Sequence, residues 1–297
     1  MHRHFLVFLT LYCQLPYSIS TEPPLRPKYL IYGGTAVKSS NNYPWMAFTF
    51  LQNPAVGDMR WCGGVVLDST TILSAAHCFH EKPAGKIMVH LLRHNLSKKV
   101  EEEGGIVVPA VNITIHPNWD RSRAINDFAI LKLANPLPSQ VTSIPLQQIG
   151  QPISNRDKVR ALGWGLISAT EYPDLLQEID MKVFDEEVCV QKYTALNMPF
   201  NSTAVLCVGT WEGEKNVCSG DSGGPLVSFD ATGNPFLIGV TSYSAGCGVD
   251  VPAAFARVAP QANWIRNFLD PPKSHGSKKV DCIRSKNQHR HIQNRHT

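Results

Sequence analysis

A serine lies among glycines in the stretch Asn216-Val217-Cys218-Ser219-Gly220-Asp221-Ser222-Gly223-Gly224. Glycines let a backbone turn sharply and approach a substrate closely. The amides of Gly220 and Ser222 can then face one point, as a developing oxyanion requires. A serine hydroxyl is a weak nucleophile alone and needs a base, itself oriented by a third group. Ser74-Ala75-Ala76-His77-Cys78 offers an imidazole, whose ordinary pKa lies near working pH. Asn126-Asp127-Phe128-Ala129-Ile130-Leu131 offers a carboxylate at the head of an apolar run. Taken singly, His77 reads as a buried structural histidine, Asp127 as a turn cap and the glycine-serine loop as a turn. Taken together, they are the parts of a nucleophilic acyl-transfer site.

In chain order these parts run His, Asp, Ser, and each lies in a motif of its own. With Ile31-Tyr32-Gly33-Gly34, Trp61-Cys62-Gly63-Gly64, Gly163-Trp164-Gly165 and Asn263-Trp264-Ile265, the chain resembles the chymotrypsin/trypsin-type secreted serine proteases over residues 31–270. The resemblance implies an all-β fold of two six-stranded antiparallel β-barrels with the site between them. It implies Ser222 as nucleophile, His77 as general base and acid, Asp127 as its orienting carboxylate, and Gly220 and Ser222 as the oxyanion hole. It implies the disulfides Cys62–Cys78, Cys189–Cys207 and Cys218–Cys247. It also implies activation by cleavage before Ile31, whose new ammonium pairs with Asp221. Here Leu30 precedes Ile31, where Arg or Lys is usual in the family. The activating protease therefore cuts after leucine, or trimming follows an earlier cut.

Composition agrees with an extracellular globular protein. The chain has 297 residues, 43% of them hydrophobic and 18% charged, with a net charge of +4. That charge is unevenly placed: from Pro271 onward seven Lys/Arg face one Asp, a net of +6 that leaves −2 for the rest. Eight cysteines fit an oxidising compartment. With Cys13 in the leader an odd number remains, and spacing alone leaves their pairing open. Under the pairing the resemblance implies, Cys282 is left over, free or joined to another chain.

Residues 1–20 read as a signal peptide: a basic start at His2-Arg3-His4, an apolar run Phe5–Leu11 and small residues at Ser18 and Ser20. The run is well short of the ~20 residues a membrane span needs, and no later segment is a candidate span. Residues 21–30 read as a short propeptide. Short alternating runs such as Met46–Leu51 and Gly64–Leu67 read as strands, as do 158–162, 180–184, 205–208, 225–229, 236–241 and 254–258. Ala262, Ile265, Phe268 and Leu269 recur at helical spacing and predict a C-terminal helix over 260–269. Asn95, Asn112 and Asn201 head Asn-X-Ser/Thr acceptor motifs. Glu101-Glu102-Glu103 reads as a solvated acidic face, because Arg93 and His94 stand where a calcium loop would begin with a carboxylate. The tail 271–297 reads as a basic disordered extension, either solvated or in contact with acidic glycans or a membrane surface. No cofactor, metal site or nucleic-acid partner is expected.

Substrate choice departs most from the resemblance. Asn216 stands where trypsin-type members carry an aspartate for Lys or Arg, so a buried guanidinium would find no counter-charge. Asn216 and Val217 form one side of the expected pocket, and Ser242, Tyr243 and Ser244 form the strand that pairs with substrate. Ser244 and Ala253 stand at two positions where glycine is usual, which narrows the slot. The expectation is a zymogen-derived endopeptidase that cuts protein or peptide substrates at uncharged, small-to-medium side chains. The alternative is a protease-like regulatory or binding protein with little activity.

Overall fold

The computed structural model describes residues 33–53, 58–80, 85–210 and 215–270. The proposed leader and propeptide, Ile31, and the basic tail with Cys282 lie outside these residues.

Among the described residues, thirteen strands account for most of the regular structure. The first barrel closes in the order β2 (Met46–Asn53), β3 (Asp58–Val66), β4 (Thr71–Ser74), β7 (Ala129–Leu133), β6 (Ile106–Ile115) and β5 (Lys86–Leu91). The second runs β8 (Lys158–Gly163), β9 (Gln177–Val183), β10 (Val205–Gly209), β13 (Ala253–Arg257), β12 (Pro235–Tyr243) and β11 (Pro225–Phe229), and closes because β11 and β9 both pair with β8. The short β1 (Thr35–Ala36) adds to β9. The pairings between these strands are antiparallel. These are the two barrels that the resemblance implied.

The sequence pattern explains why these segments become strands. Along β5, Ile87, Val89 and Leu91 turn inward while Lys86, Met88 and His90 face outward or sideways, the period-2 alternation of a half-buried strand. Residues Ile72, Leu73, Val89, Leu91, Ile130 and Leu131 fill the first core. Val208, Leu226, Ile238 and Phe255 fill the second.

The C-terminal helix spans Val258–Arg266, slightly ahead of the predicted range, and buries Val258, Ala262 and Ile265. Phe268 and Leu269 pack on the core from the turns that follow. Lys132 Nζ donates to the Phe268 carbonyl at 3.0 Å, so the end of this segment is strapped across the first barrel. A second helix, Glu186–Ala195, was not anticipated from sequence. Only Cys189 and Tyr193 are buried on it, so its apolar stripe is too narrow to announce a helical period. The Cys189–Cys207 disulfide and a bond from Tyr193 Oη to the Pro252 carbonyl, 2.9 Å, hold it to the second barrel.

The acidic run needs a correction. Glu101 and Glu102 are exposed, but Glu103 is turned inward. Its carboxylate meets Arg93 Nε at 2.8 Å, with both side chains almost fully buried. Arg93 also donates to the carbonyls of Asn95 and Lys98, at 2.9 and 2.7 Å. Residues 93–105 thus fold around an internal ion pair rather than presenting a uniform solvated face.

Candidate active site

The first barrel carries the base and the carboxylate. His77 lies on a single 3-10 turn, Ala76–Cys78, that follows β4, and the Cys62–Cys78 disulfide ties this turn to β3. Asp127 is 1% exposed. One of its oxygens accepts from the His77 backbone amide at 2.9 Å, and the other lies 2.7 Å from His77 Nδ1. A carboxylate only accepts, so the proton of neutral His77 sits on Nδ1 and the Nε2 lone pair is left toward the cleft. Burial opposes a charge on His77, but the field of Asp127 and its hydrogen bond outweigh it and hold the pKa above the ordinary value.

Asp127 is itself held from behind. Asn126 adopts φ +57°, a left-handed conformation that Asn tolerates better than most residues. Its side chain donates to the Asn118 carbonyl at 3.0 Å and accepts from Gln261 of the C-terminal helix at 2.8 Å. Gln261 in turn pairs with the His116 ring at 3.0 Å. The turn before Asp127 is therefore moored to a helix from the other end of the chain.

The second barrel carries the serine. Ser222 precedes β11, and its carbonyl accepts from the Gly63 amide of β3 at 2.7 Å. A side chain at Gly63 would collide with the Gly224 backbone, which is why this pair of strands can approach so closely. Gly220 has φ +100°, so the turn bearing the proposed oxyanion amides requires glycine. Asp221 is fully buried and accepts from the amides of Gly165 and Cys218, at 2.8 and 2.9 Å. Burial pushes its pKa up to about 6 against the pull of those two amides.

His77, Gly220 and Ser222 line one open cleft of about 300 Å³, together with Arg60, Trp61, the Cys62–Cys78 disulfide and Tyr172. Three residues distant in sequence thus converge on one region: His77 with Asp127 by direct bonds, and His77 with Ser222 across a shared cleft. The donor atoms of Cys62, His77 and Cys78 lie within 4.8 Å of one another, but the two sulfurs are joined to each other, so no thiolate is left to ligate a metal.

The proposed specificity residues are placed as follows. Asn216 is 1% exposed; it donates to the Val251 carbonyl at 2.9 Å and accepts from the Val217 amide at 2.9 Å. The space it borders with Val249–Pro252 is about 10 Å³, room for roughly one water. Ala253 is fully buried and packs with Val217 in the second core, leaving no surface for a ligand to reach. Ser244 is half-buried beside Tyr243, whose Oη donates to the Pro199 carbonyl at 2.9 Å. Ser242 has a contact that sequence reasoning missed: its hydroxyl donates to Asp127 at 2.5 Å. Gly163 and Gly165 were seen only as a motif, whereas a side chain at either would run into the Asp221 carboxylate. Trp61 was likewise quoted for its motif alone, and Tyr172 was not singled out.

The model of the family described as Trypsin matches residues 31–265. The chain belongs to the trypsin family. Cationic trypsin-3 of Rattus norvegicus is 35% identical over 216 residues, 71% of this chain and 80% of that protein. Kallikrein-4 of Homo sapiens is 30% identical, covering 78% of this chain and 84% of the relative. Tissue-type plasminogen activator of Sus scrofa is 31% identical over 88% of this chain but only 49% of its own length. Among solved structures, the one described as "Structure of GrC" superposes with a TM-score of 0.69 at 27% identity, covering 79% of this chain and 97% of that one. This trypsin-family protein is a serine endopeptidase. No helix among the described residues is long and apolar enough to cross a membrane.

Proposed function

We propose that this protease cleaves peptide bonds through Ser222, with His77 and Asp127 completing a triad. The observation that carries the reading is the buried Asp127 clamped on His77 Nδ1, with Nε2 left toward the cleft that Ser222 lines. Ser222 Oγ attacks the scissile carbonyl and its proton passes to His77 Nε2. The amides of Gly220 and Ser222 hold the oxyanion, each donor contributing about 2.7–4 kcal/mol on the scale of comparable sites. Collapse of the tetrahedral species breaks the C–N bond, and His77 returns the proton to the departing amine. Water then enters by the same route, giving up its proton to His77, and releases the acid from Ser222. Asp127 and Ser242 keep the ring in register, and Asp127 stabilises the imidazolium that forms twice per cycle.

The chain is made as a zymogen in this reading. Cleavage before Ile31 frees an ammonium that pairs with Asp221, a carboxyl which burial holds near its point of charging. Substrates carry uncharged, small-to-medium side chains at the cleaved bond. Supporting this, the residue at that position is the neutral Asn216, whose amide already donates to the Val251 carbonyl at 2.9 Å. The protein is secreted and carries glycans on one or more of Asn95, Asn112 and Asn201. Asn112 is exposed, while Asn95 and Asn201 each accept from the hydroxyl two residues on, at 2.6 and 2.7 Å. An acidic glycan on the basic tail and a disulfide partner at Cys282 remain part of the same proposal.

The test is covalent labelling with a fluorophosphonate, read together with N-terminal sequencing of the mature protein. The form beginning at Ile31 should label, and Ser222→Ala should abolish labelling. Labelling that persists in Ser222→Ala, or none at all in the chain cut before Ile31, would defeat the assignment.

A further inference from the structure

The strand β6 changes partner along its length. It pairs with β5 over Ile106–Pro109 and with β7 over Ala110–Ile115, so β5 and β6 part beyond Pro109. A groove of about 690 Å³ opens in the gap. Its floor is the buried pair Phe79 and Ile87, and Met88, Val111 and Ile113 stand along it. Val111 is 67% exposed, and Val108 is the one fully buried residue of β6. Among the described residues the lining holds one charged side chain, Lys86, and no carboxylate. The groove shares no lining residue with the catalytic cleft.

Asn112 lines the same groove and heads Asn112-Ile113-Thr114. The register of β6 against β7 shifts between Ala110 and Asn112. A bulge re-aims side chains, and Val111 and Asn112, which strict alternation would set on opposite faces, are both exposed. The acceptor nitrogen is thereby brought beside the apolar side chains. A groove of this size is in the ~300–1,000 Å³ range of clefts that seat a small ligand, and an open apolar patch on a secreted chain invites association. The core sugars of an N-linked glycan suit it. N-acetylglucosamine is neutral, and its acetamide methyl and ring C–H face offer apolar area while its hydroxyls stay in water. Attachment at Asn112 makes docking intramolecular, so contacts too weak to hold a free sugar suffice.

We propose that this groove is the seat of a glycan carried by Asn112, whose core N-acetylglucosamine units lie over Phe79, Val111 and Ile113. The proposal rests on the reading of the chain as a secreted glycoprotein and singles out one of its three acceptors. Asn95 and Asn201 are instead folded onto their own turns, each accepting from the amide and hydroxyl two residues on. A seated glycan closes the apolar side of β6 without a partner protein and leaves the catalytic cleft open.

The test compares the full chain secreted from glycosylating cells with Asn112→Gln and with Thr114→Val, each of which removes the acceptor motif by a different residue. Each is made alone and together with Val111→Ser. Mass analysis of the glycopeptides should show Asn112 occupied. Either motif substitution should raise the fluorescence of an apolar dye several-fold and lower the urea midpoint by about 0.3–0.5 M. With Val111→Ser one side of the groove is polar, and the midpoint shift on losing the glycan should fall by about half or more, as groups in contact are coupled. An occupied Asn112 whose removal changes neither dye binding nor midpoint would overturn the seat alone, as would an equal shift in the Val111→Ser background. A bare Asn112 with sugar on Asn95 or Asn201 would overturn the seat and leave the glycoprotein reading standing. No sugar at any of the three would overturn both.

Discussion

Removing Arg93 should destabilise the first barrel more than almost any other single change outside the cores. The Arg93 and Glu103 side chains are 4% and 8% exposed, and they meet at 2.8 Å. In Arg93→Met the aliphatic stem is largely replaced, but the guanidinium is lost. Glu103 then keeps its bonds from the Asn95 and His94 amides, at 2.6 and 3.4 Å, without a counter-charge. The Asn95 and Lys98 carbonyls lose a donor as well. Breaking a buried pair from one side costs about 3–5 kcal/mol. With a urea slope of about 2–3 kcal/mol/M, the unfolding midpoint should fall by roughly 1–2.5 M. The double variant Arg93→Met with Glu103→Leu removes both charges and should recover most of that loss, because an apolar replacement of a buried pair is often neutral. The penalty should also depend on pH in a defined direction. Burial works to raise the Glu103 pKa, but the Asn95 amide and Arg93 together hold it below the usual carboxylate range. Its contribution is therefore present above the unfolded pKa, roughly 4.3, and is lost as pH falls through the folded value. The cost of Arg93→Met at pH 7 should shrink in strong acid as Glu103 takes up a proton. Because the guanidinium already occupies the two loop carbonyls, a chelator should leave the wild-type midpoint unchanged. A single variant within about 0.5 kcal/mol of wild type, or a double variant no better than the single, would refute this account; the smaller figure is the range of ordinary surface substitutions.

Two further outcomes concern the site. Asp221 has a folded pKa of about 6, above its ordinary 3.8, because burial favours the neutral form. In the uncut chain its contribution is complete below the unfolded pKa and is lost as pH rises through about 6, a loss of about 3 kcal/mol at 1.36 kcal/mol per unit. Thermal unfolding of uncut Ser222→Ala across pH 4–7, compared with the same protein beginning at Ile31, reads this: the fall should vanish once the ammonium pairs with Asp221, and a flat profile in the uncut form contradicts it. Asn216→Asp places a carboxylate oxygen against the Val251 carbonyl in place of the present N–H donor. It should cost about 1–3 kcal/mol of stability and fail to install robust cutting after Arg; a fully stable variant with strong Arg cleavage on a peptide library counts against the proposed pocket.

Several parts of this protein were legible from local pattern. The alternation in runs such as Met46–Leu51 announces strands, and the Ala262–Ile265 spacing announces the final helix. The Glu186–Ala195 helix was not legible, since two buried side chains leave no broad stripe. Glu103 was misread with its neighbours because three identical residues in a row carry no sign of which one turns inward; only the position of Arg93 across the loop decides it. The burial of Ala253 in the second core was likewise not legible, since it depends on what packs around it.

The types and order of His77, Asp127 and Ser222, with the glycines around the serine, are a property of the linear chain, because nucleophile, base and carboxylate chemistry requires those groups and that local backbone freedom. Which nitrogen of His77 bears the proton, that Ser242 and the His116–Gln261–Asn126 network steady Asp127, and that Trp61 and Tyr172 wall the far side of the cleft belong to the folded molecule alone. The reason is distance along the chain. Those contacts join residues from 50 to 145 positions apart, and hydrogen bonds and ring packing act over a few ångströms, so they exist only once the chain has folded.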